Sequence, residues 1–128
     1  MMDLARLGLV ALLGIAGCTS GSVTDPTQIV FPERDVSFTQ HVRPFLTLSC
    51  AFSGCHGDVS PGGGIRLTTY YALFTDRANL VVPGQPEESL LTQTLDGRIP
   101  HRFDVISRVS SDQLRGVRTW ITEGALNN

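Results

Sequence analysis

A small all-α domain is what this sequence predicts, and three patterns carry that expectation. Ser37 and Ser110 each stand three residues ahead of a Gln, the spacing of a capping box that closes a helix N-terminus. Behind each, apolar residues recur at helical intervals. Between them, clusters of Pro and Gly divide the chain into shorter apolar segments.

From the first cap, Phe38, Val42, Phe45 and Ser49 fall on one stripe, which predicts a helix over 38–48. Pro44 lies inside it and should kink it or split off its first turn. Residues 57–66, with Pro61-Gly62-Gly63-Gly64, read as loop. A short helix is expected around Thr69–Phe74. Val81-Val82-Pro83-Gly84 reads as a turn, and Pro86-Glu87-Glu88 as the first helical turn for Leu90, Leu91 and Leu95. Residues 96–109 look irregular. After the second cap, Leu114, Val117 and Ile121, with Trp120 beside them, form an apolar face, and Gly124 is placed to end that helix. The sum is about four to five short helices, with the best apolar faces on the first and last. Phe45 and Trp120 read as packing between those two.

The chain has 128 residues, with ten basic against twelve acidic side chains and a net charge of −2. All ten basic residues are Arg, and they form no block or stripe. A protein that binds nucleic acid by neutralising phosphates needs such a patch, so that function class is excluded. No Ser/His/Asp arrangement or carboxylate pair suggests hydrolytic chemistry.

Residues 1–17 read as a signal sequence, with Arg6 ahead of an apolar run from Leu7 to Ala16 that is too short to span a bilayer. Ile15-Ala16-Gly17-Cys18 resembles the lipobox of bacterial lipoproteins. That resemblance implies that Cys18 carries the lipid and becomes the mature N-terminus, and Thr19 after it favours the outer membrane. The expected location is the periplasmic side of the cell envelope. Residues 18–35 are rich in Thr, Ser, Gly and Pro and read as a tether, leaving 36–128 as the folded unit. A core that small is usually helped by a staple, a metal or a cofactor.

Cys50, Cys55 and His56 carry the candidate chemistry. They form a C-x4-C-H string at the end of the first expected helix. Covalent attachment of a c-type haem needs two thiols and a His next to the second, normally as C-x2-C-H. Here two extra residues must bulge out, which Ser53 and Gly54 permit. A Cys50–Cys55 disulfide is a second reading in an oxidising compartment. A zinc site is a third, but besides acidic residues only His41 and His101 remain to complete it, a poor match to structural zinc spacings.

The surrounding residues resemble the planctomycete-type cytochrome c domain. The similarity starts at Phe38-Thr39-Gln40-His41-Val42-Arg43-Pro44-Phe45-Leu46. It continues through Cys55-His56-Gly57, Gly63-Gly64-Ile65-Arg66-Leu67 and Val81-Val82-Pro83-Gly84-Gln85-Pro86-Glu87-Glu88-Ser89-Leu90-Leu91. It ends with Ser111-Asp112-Gln113-Leu114 and Trp120-Ile121-Thr122-Glu123-Gly124-Ala125. The resemblance implies a small cytochrome c-like fold around one covalent haem c, with Cys50 and Cys55 as attachment points and His56 as an iron ligand. It implies a single-electron carrier, with a redox partner protein still to be named. Leu67, Leu73, Leu90 and Leu91 are expected in the dry wall of the pocket, and Arg66, Arg98 and Arg102 are candidates to pair with propionates.

In that family a Met-Pro pair before the last helix supplies the sixth iron ligand. Here the matching pair is Ile99-Pro100, and the only methionines are Met1 and Met2 in the signal segment. His101, two residues further on, is the expected replacement, with a vacant iron or His41 as the other possibilities. An open iron would make the chain a haem peroxidase or ligand sensor. Without haem it would be a disulfide-containing lipoprotein module.

Overall fold

Four short helices and the coil between them close around Trp120, in a computed structural model that describes residues 21–128. The signal segment and Cys18 lie outside the described residues. The helices are α1 (Arg43–Ser49), α2 (Ala72–Thr75), α3 (Leu90–Leu95) and α4 (Ser111–Thr122), and no strand occurs among the described residues. No helix of these is long and apolar enough to cross a membrane.

The first expected helix is present in two parts. Phe38–Val42 form a wide π-helical turn that runs into α1. Proline explains the split: the ring of Pro44 excludes the carbonyl four residues back, so the preceding turn widens to bonds spanning five residues. The Ser37 hydroxyl accepts from the Gln40 N–H at 3.2 Å. The return bond, however, comes from His41, whose Nδ1 accepts the Ser37 N–H at 3.0 Å, so His41 and not Gln40 completes the cap.

The last helix is as the sequence predicts. Ser110 and Gln113 form a reciprocal capping box, and Gly124 follows its end at φ 103°. Trp120, Val117 and Ile121 are fully buried. Trp120 packs on Phe38 with ring centres 5.6 Å apart, which joins the two ends of the domain. Phe45 is also fully buried, as expected of a residue between the terminal helices.

Two helix starts need correction. Pro86–Glu88 do not begin α3. Ser89 is extended, its hydroxyl accepts from Val82 N–H and donates to Gln85 carbonyl, and the helix starts at Leu90. A buried hydroxyl that bonds back to the turn satisfies those groups better than a helical turn would. The short second helix likewise starts late, at Ala72, with the Thr69 hydroxyl accepting from its N–H.

The segment read as a tether is packed from Pro26 onward. Its carbonyl accepts from the Gln113 side chain at 3.0 Å, and Ile29 and Phe31 are buried in the core. Phe31 lies on α4 where Gly116 has no side chain: a Cβ there would come within 2.0 Å of the Phe31 ring. Polar composition around these two apolar residues hid a docking arm.

Candidate functional site

α1 ends at Ser49, and Cys50 leaves the helix with φ −131°. The following loop folds back at once. Phe52 carbonyl accepts from Cys55 N–H at 3.0 Å, closing a turn in which Gly54 takes φ 77°. Such a turn wants glycine at its third position, so the two residues that lengthen the spacer are absorbed there. His56 N–H then donates to Cys50 carbonyl at 3.0 Å, which brings the histidine back beside the first cysteine despite the longer spacing. Gly57 permits the crossing: a Cβ would stand 2.8 Å from the Ala51 oxygen.

The His56 ring is fixed from a second side. Its Nδ1 pairs with Ile65 carbonyl at 2.9 Å, which makes Nδ1 the protonated nitrogen and leaves Nε2 with its lone pair. Leu67 N–H holds the His56 carbonyl at 2.9 Å, and Gly62 N–H bonds the Cys55 carbonyl. Arg66, next to Ile65, is itself anchored: its backbone N–H and its guanidinium both bond Asp76, at 2.8–3.0 Å. That guanidinium holds the Asp76 carboxyl down at about 2.

Cys50 and Cys55 are separate, half-buried thiols. Burial pushes the Cys50 thiol up to about 11, and the nearby Cys55 adds to the rise, so it stays protonated at neutral pH. Beside it, the Ser49 hydroxyl is buried without a hydrogen-bond partner. A buried polar atom in that state points to a group that completes the site.

His101 is brought to the same place from the other side of the fold. Its ring centre lies 6.0 Å from that of His56, at an interplanar angle of 53°. It stands on an exposed loop, and its Nδ1 pairs only with the Phe103 backbone, at 3.3 Å. His41 is not brought to this pair. It sits at the far end of the helical segment from Cys50, its Nδ1 used by Ser37 and its ring against Phe31. Among the described residues, no three His, Cys, Asp or Glu side chains gather to hold a bare metal ion.

Of the pocket-wall leucines, Leu67, Leu73 and Leu91 are buried and Leu90 is partly so. The arginines separate clearly. Arg66 is bound to Asp76, and Arg98 to Asp96 and Glu87, so both already have carboxylate partners. Arg102 lies over the Phe103 ring, 5.8 Å from its centre. Sequence reasoning gave no site role to Gly57, Ile65, Asp76 or Ser49. Only the glycine directly after His56 left a signal that could have been used.

Residues 53–102 match the family model described as Planctomycete cytochrome C. The match supports a planctomycete-type cytochrome c domain. The matched stretch takes in Cys55, His56, the glycine run and His101, and it begins after Cys50. No curated protein and no solved structure matches the chain.

Proposed function

We propose that this chain is a mono-haem c-type cytochrome that passes single electrons in the cell envelope, tethered through an acylated Cys18. The cytochrome c match supports a haem-binding electron carrier. The finer statement rests on how well the residues at the site fit the group.

One observation carries it: the ring of His101 lies 6.0 Å from that of His56, the residue that follows Cys55. Two histidines that share one metal ion, with metal–nitrogen bonds of about 2.0 Å and about 1.1 Å from nitrogen to ring centre, sit about 6 Å apart. The separation is compatible with both histidines serving one iron. The Ile65 carbonyl on His56 Nδ1 adds to the fit, because a ligating histidine normally gives its other N–H to a carbonyl or carboxylate. The unpaired Ser49 hydroxyl is a third element.

In this reading Cys50 and Cys55 would form the thioethers, and His56 and His101 would be the two residues that hold the iron. When bound, haem supplies an iron that changes oxidation state by one electron. The chain's part is to hold both axial nitrogens, to exclude water with Leu67, Leu73 and Leu91, and to set the potential. Imidazole in place of the family's thioether lowers that potential, because thioether sulfur favours the reduced iron. The Ile15-Ala16-Gly17-Cys18 string supports the lipid anchor and a periplasmic, outer-membrane site.

The test is an intact mass and a pyridine haemochrome spectrum of the mature chain. One haem per chain, both thiols consumed and a low-spin ferric spectrum are expected. A colourless chain with Cys50 joined to Cys55 overturns the reading.

A further inference from the structure

We propose that His101 is an exchangeable ligand, whose imidazole withdraws into the hollow behind its own loop and yields the sixth iron position to a small neutral diatomic of the carbon monoxide and nitric oxide class. The proposal rests on the haem reading above and extends it from electron transfer to ligand binding.

Three features of the loop lead there. From Pro100 to Asp104, the hydrogen bonds among the described residues stay within the segment 101–107: Phe103 N–H to His101 at 3.3 Å, and Ser107 N–H to the Asp104 carboxylate at 3.1 Å. No hydrogen bond among the described residues ties His101 to the body of the protein. The loop also has little burial to lose, since Phe103 is 54% exposed and Ile106 60%.

The third feature is space. A cavity of about 140 Å³ opens against His101, lined also by Thr94, Gly97, Pro100, Val105 and Ile106. An engineered cavity of about 150 Å³ in another protein admits benzene, which is larger than an imidazole. Gly97 shapes one wall: at φ 80° it lets the Ile106 side chain lie where a Cβ would be 2.4 Å away. Ile106 is therefore a wall without a rigid backing on its solvent side.

The exchange would break one iron–nitrogen bond and form one bond from iron to the diatomic. No electron would be transferred, and the released imidazole would rest in the hollow. Because His56 keeps its bonds to Cys50, Ile65 and Leu67, the cofactor stays in place while the distal side changes.

The experiment mixes reduced holo-protein with carbon monoxide in a stopped-flow spectrometer. The adduct should form at a rate that levels off as carbon monoxide rises, the plateau being the departure of His101. Val105→Phe fills the hollow and should lower that plateau by about tenfold, with the low-spin ferric spectrum retained. Ile106→Ala, at an exposed position, widens the hollow and should raise it. His101→Ala should remove the plateau and make the rate linear in carbon monoxide.

Low-spin holo-protein that takes up no carbon monoxide at saturation overturns the exchange and leaves the cytochrome reading standing. A plateau unmoved by both Val105→Phe and Ile106→Ala overturns the role of the hollow. A purified chain without haem overturns the underlying reading instead.

Discussion

Two stretches of this molecule each present one imidazole to the same place, and they are built in opposite ways. Residues 50–67 wrap His56 in backbone bonds to Cys50, Ile65 and Leu67, with Gly57 allowing a crossing no larger residue fits. Residues 100–109 present His101 from a loop whose hydrogen bonds stay within it. Local free energy of opening follows such differences in hydrogen bonding and burial. The comparison teaches that rigidity here belongs to the half of the site that carries the cysteines and His56, and adaptability to the half that carries His101.

The largest effect should come from exchanging the two histidines one at a time. His56→Ala should abolish stable haem incorporation, read by haem staining of the denatured chain. His101→Ala should leave the stain intact and convert the ferric spectrum from low to high spin. A low-spin spectrum in His101→Ala would remove this residue from the iron.

Backbone substitutions should show the same contrast at smaller size. Gly57→Ala forces the Ala51 carbonyl aside and should cost about 1–3 kcal/mol, seen as a lower melting temperature. Arg102→Ala in the distal loop should stay within about 0.5 kcal/mol. Equal losses at the two positions would refute the claim of unequal rigidity.

The smallest effect is electrostatic and depends on pH. Asp76 braces Arg66, the neighbour of the residue that holds His56. Its carboxyl is held at about 2, below the usual 3.8. A depressed carboxylate stabilises the fold above its unfolded value and loses that contribution as pH falls through the folded one. Asp76→Asn should therefore melt below the wild type at pH 7, and the gap should close between about pH 4 and about pH 2. A gap that persists in acid would show that the brace is not ionic.

How much of this was legible beforehand follows the same division. Caps and apolar stripes specify α4 and the start of the first helix, because both signals are local. The thiol–imidazole string is local too, and so was readable. Ile65, Asp76 and the docking of Phe31 on Gly116 depend on chain segments meeting across the fold, which periodicity does not encode. His101 was reached by a different route, through the absence of a methionine where the resembling family has one. Its partner across 6.0 Å needed the structure. The helix expected at Pro86 failed because Ser89 and Thr92 satisfy the turn's carbonyls with their hydroxyls.

The arm that ends in Phe31 also sets a leash length. With its first bond to the domain at Pro26, only eight peptide links separate the fold from Cys18, at most about 28 Å of extended chain. On the proposed lipid anchor, the domain would sweep a thin shell over one leaflet rather than the depth of the compartment. Redox proteins fixed to that same surface would meet it at high effective concentration, while freely diffusing ones would have to come to the bilayer.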